Sequence, residues 1–70
     1  MFYVIEIQTT NTGATNTFCF NTRADAEEKY HDVLRVASKS EVKKHGAMIV
    51  NDDMFVIKSE VYVHEEVNNK

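Results

Sequence analysis

The hydrophobic and polar positions fall into four alternating runs and one run at helical spacing. Phe2 to Thr10 reads FYVIEIQTT and alternates from Tyr3, with Tyr3, Ile5 and Ile7 on one side of an extended chain. Asn11-Thr12-Gly13-Ala14 carries turn chemistry, since Gly13 takes positive φ cheaply. Asn16 to Asn21 alternates again, with Phe18 and Phe20 on one side and Thr17 and Cys19 on the other. These two runs predict a β-hairpin. Near the end, Ala47 to Val50 and Met54 to His64 predict two further strands. The Asn51-Asp52-Asp53 turn joins them through Asn/Asp side chains that bond their own backbone.

Between the pairs of strands the period lengthens. Ala26, Tyr30, Val33, Leu34 and Ala37 recur at the spacing of one helical stripe. Thr22, with Asp25 three residues on, approximates a capping box. Asp25, Glu27 and Glu28 suit the positive end of the helix dipole, and Arg35 and Lys39 its negative end. The helix is expected to fade near Ser38 to Ser40, leaving Glu41 to Gly46 as a connection.

The element order is therefore ββαββ. It predicts an α+β domain over residues 1–64, with one helix on one face of a four-stranded, mainly antiparallel sheet. Residues 65–70 read as a polar tail. The first and fourth strands are the longest and most apolar, which suggests the strand order 2-1-4-3. The helix is expected to cover Tyr3, Ile5, Ile7, Phe18, Phe20, Ile49, Phe55, Ile57, Val61 and Val63. The opposite face would then carry Phe2, Val4, Glu6, Gln8, Thr17, Cys19, Met48, Val50, Val56, Lys58, Glu60, Tyr62 and His64. That is much apolar surface to leave wet, and apolar patches of this kind mark interfaces. Phe2, Val4, Val56, Lys58, Glu60 and Tyr62 are the expected contact residues, with a second copy the simplest partner.

Composition narrows the function. A chain of 70 residues makes a thin core, and the usual supplements are disulfides, metals or oligomerisation. Cys19 is the only cysteine, so no internal disulfide forms, and the lone thiol fits the reducing cytoplasm. Met1 leads straight into a strand-like run with no basic segment before it, which predicts no signal peptide. No apolar run is long enough to span a membrane. Proline is absent, as suits a chain made almost wholly of helix and strand.

Chemistry is sparse. His31, His45, His64 and Cys19 are the soft ligands, and none shows metal-site spacing, so no metal or cofactor is expected. Cys19 lies between two phenylalanines and reads as a small hydrophobe, not a nucleophile. Nucleophile-elbow, P-loop and dinucleotide motifs are all missing, so the expectation is no enzyme. Arg35, Lys39, Lys43 and Lys44 make a modest basic cluster that could meet phosphates. The net charge of −3 argues against it, leaving a small nucleic-acid-binding module as the alternative reading.

YVIEIQ at Tyr3 to Gln8 and NTRADAEEKYHDVL at Asn21 to Leu34 resemble a group of short uncharacterised proteins from phages, prophages and gut bacteria. Thr22, Arg23, Ala26, Glu27, Lys29, Tyr30 and His31 carry the match, and IKSEVYVH extends it over most of the chain. The resemblance implies an accessory protein of a mobile element in the bacterial cytoplasm. With chemistry lacking, it points to a homodimeric module that binds, and inhibits or modulates, a host or phage protein.

Overall fold

A computed structural model of the chain describes residues 1–10 and 12–64; the expected polar tail lies outside the described residues. Strands β1 (Phe2–Thr9) and β2 (Ala14–Phe20) pair antiparallel from Phe2 opposite Phe20 to Gln8 opposite Ala14. Gly13, with φ of 76°, sits in the turn between them. Helix α1 (Arg23–Ser38) follows at once. Thr22 is its N-cap: the hydroxyl oxygen accepts from the Asp25 N–H at 3.2 Å, satisfying a donor the helix leaves free. At the other end the Lys39 and Ser40 N–H groups donate to Val36 and Ala37 carbonyls. Strands β3 (Lys44–Asn51) and β4 (Val56–Val63) form the second hairpin.

The result is the predicted α+β ββαββ layout, one four-stranded sheet with every neighbouring pair antiparallel. The strand order is β2-β1-β3-β4, which corrects the expected 2-1-4-3. β3 begins at Lys44, inside the stretch read as a connection, and lies at the centre beside β1. The reason is the crossover. α1 joins β2 to β3, two parallel strands separated only by β1, and passes over β1 on the way. Placing β4 next to β1 would force that connection to skip a further strand. The length and apolarity of β4 do not reflect a central position.

The core gathers Val4, Ala26, Tyr30, Val33, Ala47 and Ile49, with Phe2, Phe18, Phe20, Leu34 and Ile57 packed against it. Val4 lies opposite both Phe18 and Ile49, so these three form one row beneath the helix. Phe18, Phe20, Ile49 and Ile57 are core-facing, as expected, whereas Phe55 is exposed. On β1 the assignment inverts: Phe2, Val4 and Glu6 share the helix side, and Tyr3, Ile5 and Ile7 take the other. FYVI is apolar at both parities, so alternation alone allows either face. The row with Phe18 and Ile49 decides it.

β4 inverts as well. Ile49 pairs with Lys58, yet Val50 pairs with Val56, so Ile57 is the extra residue of a bulge. The bulge lets Ile57 reach the core while Lys58, Glu60 and Tyr62, opposite Ile49, Ala47 and His45, also stay on the helix side. Val61 and Val63 then face away from the helix. His64 also belongs to the helix side, where its Nε2 lies 2.8 Å from the Ala37 carbonyl oxygen.

Candidate functional site: the uncovered sheet face

The face turned away from the helix is built from every second residue of the four strands. β1 gives Tyr3, Ile5 and Ile7; β2 gives Thr15, Thr17 and Cys19; β3 gives Lys44, Gly46, Met48 and Val50; β4 gives Val56, Ser59, Val61 and Val63. Val56, Val61 and Val63 each leave more than half of their surface in water. Lys44 is the one charged side chain that the strands put on this face among the described residues. It stands at the edge where β3 begins, while Asp52 stands at the opposite end, just past Asn51.

Two shallow hollows mark the face. One, of about 540 Å³, opens around Gly46 between Ile7, Lys44, Met48 and Val61. Gly46, at its edge, has no room for a side chain. A Cβ there would run into the Glu60 carbonyl oxygen and come within 2.8 Å of the Val61 Cα. The second, of about 230 Å³, lies between Tyr3, Ile5, Val50, Asp52 and Met54. Tyr3 donates its hydroxyl to Asp52 at 3.0 Å, and the Met1 amine meets the same carboxylate at 2.9 Å. These two donors hold the Asp52 carboxyl below the usual range, and Asp52 in turn pushes the Tyr3 phenol up.

Of the six expected contact residues, only Val56 lies on the uncovered face. Val4 is wholly buried, and Phe2 packs on the core. Lys58 reaches Glu27 at 3.5 Å. Tyr62 stacks on His64, and Glu60 stays exposed on the helix side. The uncovered face is therefore real, but Tyr3, Ile5, Ile7, Val61 and Val63 replace most of its expected members. Thr17, Cys19, Met48 and Val50 are where the alternation places them.

The basic cluster does not assemble. Arg35 is held 2.7 Å from Asp32 on the helix, and Lys39 ends that helix. Lys44 projects from the opposite side of the sheet, and Lys43 precedes it in the chain. Among the described residues no three His, Cys, Asp or Glu side chains converge as a metal site would need.

One pair escapes sequence reading. His45 Nε2 lies 2.6 Å from Glu6 Oε2 beneath the helix, with the two side chains only 4% and 13% exposed. Glu6 also accepts from Asn16 at 3.0 Å. An ionised carboxylate only accepts, so Nε2 carries the hydrogen and Nδ1 is left buried without a partner. Burial pushes the Glu6 carboxyl up, but the hydrogen bonds from His45 and Asn16 and the nearby Lys29 outweigh it. The net direction is down. Reading β3 from Lys44 would have exposed this pair, because His45, Ala47 and Ile49 then alternate into the core.

Comparison with known protein families, curated proteins and solved structures gives no match. Among the described residues no helix is long and apolar enough to cross a membrane.

Proposed function

We propose that the chain is a non-enzymatic protein–protein interaction module that acts as a homodimer, two copies packing through their uncovered sheet faces. The observation that carries this reading is a sheet face whose strands, among the described residues, bear a single charged side chain, with three half-exposed valines on one strand. The area fits. Strands of about eight residues at ~3.4 Å each, four abreast at ~4.8 Å, give a face of about 500 Å². Two such faces together supply about 1,000 Å², the lower bound for a specific interface. A near-chargeless face also suits a copy of itself better than a charged partner. The resemblance to short phage and gut-bacterial proteins supports an accessory role, in which the dimer binds and modulates a host or phage protein through its outer surface. Phosphate binding has no comparable support, because the sheet separates Lys44 from Arg35.

Light scattering tests the dimer. Wild type is expected at twice the chain mass, and Val61→Asp at the chain mass with unchanged far-ultraviolet circular dichroism. A wild-type monomer at 100 μM, well above a micromolar dissociation constant, would refute the homodimer.

A further inference from the structure

Two sheets stacked face to face by a twofold axis have two simple arrangements. The axis runs along the strands, so like ends coincide, or across them, so opposite ends coincide. Resting on the proposed dimer, we infer that the axis runs across the strands through the Ile5–Met48 row, setting Lys44 of each copy against the Asp52–Asp53 turn of the other.

Charge separates the two arrangements. Lys44 opens β3 and Asp52 follows its last residue, so they mark opposite ends of one strand. With the axis along the strands, Lys44 would lie near Lys44 and Asp52 near Asp52, juxtapositions that interfaces avoid. With the axis across them, each lysine meets the carboxylates of Asp52 and Asp53, the first of which also holds the Met1 amine. The spacing agrees. Lys44 and Asp52 lie four residues to either side of Met48, about 14 Å in each direction. A rotation about the Met48 row therefore carries one onto the position of the other.

Shape gives the same answer independently. The hollow at Gly46 lies toward the Lys44 end, two residues from Met48. Met54, 81% exposed, stands at the Asp52 end, lining the second hollow. An axis across the strands brings Met54 of one copy to the Lys44 end of the other, where a flexible thioether fills an irregular gap well. An axis along the strands leaves both Gly46 hollows facing each other, empty.

Cross-linking reads the orientation directly. Ile5 pairs with Thr17 on β2 and with Met48 on β3, and Met48 pairs with Ser59 on β4, so Thr17 and Ser59 lie on the inferred axis. In a Cys19→Ser background, Thr17→Cys is expected to cross-link to itself with a bifunctional maleimide of about 10 Å, the spacing of packed sheets. Ser59→Cys should do the same at the other edge, which covers the failure of either variant to fold. If neither links to itself but a mixture of the two variants links Thr17→Cys to Ser59→Cys, the axis runs along the strands. The inference is then overturned while the dimer stands. No cross-link in any combination, or a monomer by light scattering, overturns both. Lys44→Glu is expected to weaken the dimer about tenfold, since two exposed pairs are lost. Asp52→Lys added to it should restore most of the affinity.

Discussion

Ile49 and Val4 are the largest side chains among the described residues to lose all contact with water, and they touch across the two central strands. Emptying such a site costs both transfer free energy and a cavity, about 2–5 kcal/mol for Ile→Ala. A domain of 70 residues has only about 4–10 kcal/mol in total. Ile49→Ala is therefore expected to lower the urea midpoint severely or leave the chain unfolded at 25 °C, as circular dichroism would report. The Glu6–His45 pair sets a second expectation. Glu6 titrates below its ordinary value in the folded chain, so its ionised form stabilises the fold at neutral pH. That contribution is present above the ordinary carboxylate range and is lost as pH falls through the lower folded value. Urea unfolding between pH 7 and pH 3 should show wild type losing more stability than Glu6→Gln. The difference isolates Glu6 from Asp52 and Glu27, whose carboxyls are lowered too.

At the scale of elements, local signals and long-range pairing divide the work. The helix was legible because its stripe, its Thr22 cap and its terminal charges agree; Thr22→Ala should cost about 1 kcal/mol by thermal unfolding. The two hairpins were equally legible from turn chemistry, but the strand order was not: the expected 2-1-4-3 gave way to β2-β1-β3-β4, which the crossover through α1 sets and no local signal shows. The faces of β1 and β4 were not. In β1, Phe2 and Val4 compete with Tyr3, Ile5 and Ile7, and only pairing with Phe18 and Ile49 settles which set is buried. In β4 a single bulge at Ile57 reverses the parity, and nothing local announces it. The start of β3 was hidden because Lys-His-Gly reads as a loop until a glutamate from β1 is known to await the histidine. These inversions moved five of the six expected contact residues to the helix side, although an exposed apolar face was rightly anticipated.

For the whole molecule, helix α1 is the decisive economy. It covers one side of the sheet as it crosses β1, and it leaves the other side open. In the proposed dimer association and folding are linked, since whatever binds only the folded chain stabilises it. The apparent melting temperature is expected to rise with protein concentration for wild type and to be flat for Val61→Asp, measured from 5 to 500 μM.

Met54 closes the β3–β4 turn with φ of 68°, a left-handed backbone that glycine adopts freely and methionine does not. Asn51 holds the corner in place, its side-chain oxygen accepting from the Asp53 and Phe55 N–H groups. A substitution to glycine at Met54 would relax that corner and should leave the isolated fold as stable or more so. In the proposed dimer it would also remove the thioether offered to a second copy. The residue thus sits on a trade-off between stability and affinity. If the chain pairs as proposed, a lineage that gave up the partnership would be free to drift to glycine there, and one that kept it would retain the strain.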